Sequence, residues 1–130
     1  MTPRISIRSA VARSFAALGA AIGLMLAASH AEAHASLVSA APASSSTVAA
    51  PKQITLRFNE ALAPKFSGFD LMRADGSKVA VTTQVAPKDR KTMVGVVFSP
   101  LAPGIYMVMW RAAAADDGHR TKGDFSFTVR

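Results

Sequence analysis

The chain has 130 residues, with 15 Lys+Arg, 8 Asp+Glu, 3 His and no Cys, for a formal net charge of +7. Without cysteine it has no disulfides, no thiolate zinc site, no thiol nucleophile and no Cys ligand for a blue-copper centre. The basic residues are scattered rather than clustered in a run, which argues against nucleic-acid binding.

Residues 1–33 read as a secretory signal peptide. Arg4, Arg8 and Arg13 form a basic start, Phe15 to Ala28 is an apolar run, and Ala31-Glu32-Ala33 is a small-residue cleavage site. The run is shorter than the roughly 20 apolar residues of a membrane-spanning helix. A twin-arginine pair is missing, so the general secretory route and a periplasmic location are expected. Cleavage after Ala33 leaves residues 34–130 as one domain. Without Arg4, Arg8, Arg13 and Glu32 its count is 12 Lys+Arg and 7 Asp+Glu, a net charge of +5. A domain of that length buries about two-thirds of its unfolded surface around a single core.

The first strand is expected near Ser36 to Ser39, before a loop rich in Ala, Ser and Pro. From Gln53 the pattern has a period of two, with Ile54, Leu56 and Phe58 on one face and Thr55 and Arg57 on the other. A further strand over Gly68 to Arg73 turns at Asp75-Gly76 and returns through Val79, Val81 and Thr83 as a hairpin. Pro87-Lys88-Asp89-Arg90 interrupts the pattern, Met93 to Phe98 is apolar, and Ser99 to Gly104 is turn sequence. Ile105 to Arg111 is apolar on both faces, which predicts a central strand covered on both sides. Gly123 to Arg130 alternates cleanly, with Phe125, Phe127 and Val129 inward. The fold class is therefore all-β, a Greek-key barrel or sandwich of about seven antiparallel strands, cupredoxin-like or immunoglobulin-like.

Chemistry concentrates at the two histidines outside the signal. Cleavage would make His34 the N-terminal residue, so that its α-amine and ring Nδ1 could chelate one ion in a six-membered ring. His119 lies in Asp117-Gly118-His119, where the glycine permits a tight bend that lets side chains two apart converge. Two imidazoles, an amine and a carboxylate without thiolate suit Cu(II). Asp116 is the rival carboxylate. Each half alone has an ordinary explanation, because Asp-Gly is a common turn dipeptide and a terminal histidine can be an accident of processing.

Several stretches together carry a family resemblance. These are His34-Ala35-Ser36, Pro42 to Ser46, Ala50 to Glu60 ending in Phe58-Asn59-Glu60, Tyr106 to Arg111, Asp117-Gly118-His119, and Gly123 to Phe127. On them the chain resembles the CopC family of periplasmic copper-binding proteins, small cupredoxin-like β-barrels. The resemblance implies that His34, Asp117 and His119 ligate one Cu(II) per chain. It also places Glu60 near that site, as an outer carboxylate or weak axial ligand, against the alternative of a solvent-exposed strand end. It further implies sequestration of copper, or delivery to a CopD-like inner-membrane transporter, in copper resistance or homeostasis.

Some members of the family carry a second, Cu(I), site in a methionine-rich loop. Here Met72, Met93, Met107 and Met109 are spread over three expected strands and read as core packing, so no dedicated Cu(I) site is expected. Tyr106 and Trp110 likewise read as core, with the indole N–H finding a backbone partner. Lys65, Lys88, Arg90 and Lys91 read as a solvated face. Two other function classes fit the same residues: a copper-dependent oxygenase built on an N-terminal histidine, and a metal-free sandwich serving adhesion or assembly. A hydrolase does not fit, since Gly-x-Ser-x-Gly is missing and few histidines are available as bases. The reading is of a non-enzymatic binding protein.

Overall fold

Alternation of apolar and polar side chains shapes the sheets of this structure, a computed structural model that describes residues 34–130. The signal peptide expected over 1–33, with its cleavage motif, lies outside the described residues. The strands are β1 (Leu37–Ala41), β2 (Thr47–Val48), β3 (Gln53–Phe58), β4 (Gly68–Arg73), β5 (Lys78–Val79), β6 (Val81–Ala86), β7 (Asp89–Val97), β8 (Gly104–Ala113) and β9 (Arg120–Val129). One 3₁₀ turn covers Pro64–Phe66. Two sheets result, in the orders β1-β3-β7-β6 and β2-β9-β8-β4-β5. The fold is a β-sandwich, as the alternation predicts, with seven strands of five or more residues and two of two residues.

The core lies between the sheets. Ile54, Leu56 and Phe58 of β3 and Met93 of β7 face Phe69 and Leu71 of β4, Val108 of β8 and Phe127 of β9, all of them buried. Each such side chain contributes about 1.5–3 kcal/mol when removed from water. Tyr106 is buried too, with its hydroxyl donating to the Ala102 carbonyl at 2.7 Å. Trp110 is half-buried edge-on against Phe58, with ring centroids 5.2 Å apart.

Three departures from the sequence reading have physical reasons. The hairpin at Asp75-Gly76 forms, with Gly76 at φ +86° and Met72 opposite Lys78. It pairs over two residues only, because the chain then crosses to the other sheet and β6 pairs with β7. The alternation of valines runs through this switch, so periodicity alone could not mark it. The interruption after Pro87 is also shorter than expected, since β7 begins at Asp89.

The third departure is β8. It lies inside its sheet, between β9 and β4, but only its inner face is covered. Tyr106 and Val108 are 4% and 0% exposed, whereas Ile105, Met107 and Met109 are 56%, 40% and 46% exposed. Nothing among the described residues packs over that outer face, so it is neighbouring strands and not a second cover that make β8 central. Among the described residues Met93 is the one methionine fully buried in the core. Met107 lies opposite Met72 across the β8–β4 ladder, on the outer face, so core packing does not account for these two residues.

Asp89 explains why β7 starts early. Its carboxylate accepts from the Lys91 N–H, from Thr92 Oγ1 at 2.8 Å and from the Arg57 guanidinium at 2.8 Å. The Thr92 hydroxyl, followed by Arg57, holds the Asp89 carboxyl below the ordinary carboxylate range. A depressed folded-state pKa stabilises the fold above the unfolded value of about 3.9, and that contribution disappears as pH falls through the lower folded value. Asp89→Asn is therefore expected to flatten the dependence of melting temperature on pH below about 4. An unchanged acid profile in a thermal melt series from pH 5 to 2 would remove this role.

Candidate metal centre

Three segments meet at one end of the sandwich. The longest hairpin, β8–β9, pairs up to Ala113 opposite Arg120, and residues 114–119 form its tip. Within the tip, Gly118 N–H donates to the Ala114 carbonyl at 2.9 Å and Ala114 N–H to the His119 carbonyl at 3.0 Å. Gly118 has φ +69°, the left-handed region that glycine enters without a Cβ penalty. Asp117 Oδ1 accepts from the His119 N–H at 2.9 Å, a turn in which the side chain stands in for a backbone acceptor. The second segment, 61–63, ties to the tip through Ala115 N–H to the Ala61 carbonyl at 2.9 Å and Ala63 N–H to the Ala113 carbonyl at 2.8 Å.

The third segment is His34 to Ser36. Ala35 is buried at 1% exposure and belongs to the core, which places exposed His34 just beyond it. Thr121 Oγ1 donates to the Ala35 carbonyl at 2.7 Å. The outcome is that residues 85 apart in the chain come together: the rings of His34 and His119 have centroids 4.0 Å apart and planes tilted by 31°. Both side chains are exposed, so no desolvation opposes a charged ligand between them.

A family model for the CopC domain matches residues 37–130. The chain belongs to the CopC family. It is 42% identical over 112 residues to copper resistance protein C of Pseudomonas syringae pv. tomato, covering 82% of this chain and 88% of that one. Among solved structures it is similar to PcoC, a methionine-rich copper resistance protein from Escherichia coli, at 40% identity and a TM-score of 0.68, covering 75% of this chain and 100% of the other. It is also similar to CopC from Methylosinus trichosporium OB3b, at 31% identity and a TM-score of 0.69, covering 74% of this chain and 93% of that one. Among the described residues no helix is long and apolar enough to cross a membrane.

In this member of the CopC family the sequence-predicted donors do not all converge to the same degree. His34 and His119 are in ring contact. Asp117 is two residues from His119, but one of its oxygens is engaged by the tip's own backbone. Asp116, the rival carboxylate, is exposed on the same tip, and Glu60 is half-buried two residues past the end of β3. Among the described residues no three His, Asp or Glu side chains are gathered as a metal cage. The two imidazoles are thus the assembled part of the donor set. The free oxygen of Asp117 retains its acceptor capacity.

Two residues that the sequence reading passed over organise this end. Asn59 Oδ1 accepts from the Ser36 N–H at 2.7 Å, and Asn59 Nδ2 donates to the His34 carbonyl at 3.3 Å. Thr121 holds the next carbonyl. Asn59 sits in Phe58-Asn59-Glu60, beside the charged Glu60. An uncharged amide just past a strand end was the available signal.

Proposed function

We propose that this protein is a periplasmic Cu(II)-binding protein of copper resistance and homeostasis. It sequesters the ion or hands it to an inner-membrane, CopD-like transporter. The observation that carries the reading is the contact between the His34 and His119 rings at 4.0 Å, which joins the first residue after the expected cleavage site to the tip of the β8–β9 hairpin. The copper resistance named for the relatives supports the same metal.

In this reading the matured chain binds one Cu(II) through the His34 α-amine and imidazole, the His119 imidazole and the Asp117 carboxylate. Glu60 lies outside the immediate donors and biases their basicity. Nitrogen and oxygen donors without thiolate favour Cu(II), the divalent ion at the top of the stability order. The ion is cargo, and no catalytic step is assigned to it. Exposure of both imidazoles leaves the centre open to a receiving protein. The reading assigns no dedicated Cu(I) site and gives no ligand role to Met72, Met107 and Met109, which lie on the outer sheet face.

Amine and imidazole bind copper only when deprotonated. Protons therefore compete for the same lone pairs. Chelator competition on the exported protein should give one tight Cu(II), with nitrogen hyperfine structure in the EPR spectrum and affinity falling steeply from pH 8 to 5. Binding that is independent of pH, or a spectrum of oxygen ligands alone, would reject the assignment.

A further inference from the structure

We infer that Asn59, seconded by Thr121, is a positioning residue that presets the copper centre by clamping His34 to Ser36 in place before any ion arrives. This rests on the reading of His34 as a copper ligand. β3 ends at Phe58, whose partner on β1 is Leu37. One residue further, the ladder continues in altered form. Asn59 N–H donates to the Ser36 carbonyl at 3.1 Å, as a strand would, but the Ser36 N–H is received at 2.7 Å by the Asn59 side-chain Oδ1 and not by a main-chain carbonyl.

The side-chain amide thereby replaces one backbone acceptor while Nδ2 reaches the His34 carbonyl at 3.3 Å. Asparagine suits this place because one short side chain carries both an acceptor and two donors. Thr121 closes the clamp from β9 at the Ala35 carbonyl, 2.7 Å away, and the buried Ala35 side chain anchors it from below. Every one of these bonds uses groups from the His34 carbonyl onward, and none uses the His34 nitrogen. The clamp can therefore form without occupying the atom that processing converts to an amine.

The physical consequence is kinetic as well as thermodynamic. A chain end is ordinarily the first part of a domain to fray, and a terminal ligand that frays releases its ion. Holding it ready removes that ordering cost from binding. The test compares Cu(II) release into excess EDTA, the EPR spectrum of the copper-loaded protein and the melting temperature of the copper-free protein. The samples are the exported protein and its Asn59→Leu and Thr121→Val variants, both near-isosteric and at exposed or half-exposed positions.

Each variant is expected to release copper about tenfold faster, the scale of one or two lost hydrogen bonds. Heterogeneous nitrogen hyperfine structure and a melting temperature within about 2 °C of the parent should accompany it, since only the chain end loosens. Parent-like release and spectra in both variants, or faster release only in proportion to a large fall in melting temperature, would overturn the clamp while leaving the copper reading intact. Failure of the unsubstituted protein to bind Cu(II) through nitrogen would overturn both.

Discussion

His119→Ala is expected to fold normally and to lose Cu(II) affinity by at least about 100-fold, beyond the roughly 10–100-fold typical of changing an outer partner of a metal ligand. Folding should survive because the tip is built from the main chain of residue 119. Its N–H bonds to Asp117 Oδ1 and its carbonyl accepts from Ala114, and alanine keeps both. What disappears is the imidazole that meets His34. Asp117→Asn separates two duties of the carboxylate, since the amide oxygen can still accept from the His119 N–H while the negative charge is lost. Weakened copper binding with an unchanged melting curve would assign Asp117 to the ion. Parent-like binding would leave it as a turn builder, with Asp116 the carboxylate to test next. Isothermal titration in a competing chelator measures both variants.

The largest effect on stability is expected at the contact between the sheets. Phe69 is 2% exposed and stands over Gly95 of the opposite sheet, where an added Cβ would lie 2.2 Å from the ring's Cζ. No side chain fits there unless the ring moves. Phe69→Ala is expected to cost about 3–5 kcal/mol in urea unfolding, the usual range for truncating a buried aromatic. Gly95→Ala is expected to cost about 1–3 kcal/mol by overpacking. Because both residues occupy one space, Phe69→Leu combined with Gly95→Ala should cost less than the sum of the two single changes. Strict additivity would show that the ring and the glycine do not share that space. The proposed copper site, at the end of the sandwich, should keep its affinity in any of these variants that remain folded.

Much of this architecture was legible because half-buried strands advertise themselves. Ile54-Leu56-Phe58 and Phe125-Phe127-Val129 alternate as strands with one wet face must, and they occupy β3 and β9 as expected. The switch of sheets between β5 and β6 was not legible, because Val79 and Val81 keep the same period on either side of it. The exposure of Met107 and Met109 was hidden for a different reason: hydrophobicity reports what a residue tolerates, while a two-layer fold leaves each sheet one uncovered face.

At the candidate site, His34 and His119 could be singled out because they are the only histidines in the sequence after residue 33 and their chemistry is distinctive. The clamp at Asn59 could not, since its bonds depend on β1 starting beside the end of β3, a fact of register rather than composition. Asp117 is an expected ligand, and its engagement with the His119 N–H adds a turn-building role that spacing alone does not distinguish.

The most direct measurement concerns the nitrogen of His34. Cu(II) affinity and EPR spectra should be compared between protein that begins at His34 and protein carrying one extra alanine before it. The extension converts the amine to an amide and leaves both imidazoles, Asp117 and the Asn59 bonds as they are. The account predicts a large loss of affinity and one fewer nitrogen coupled to copper. Equal affinity and an identical spectrum in the two forms would contradict it.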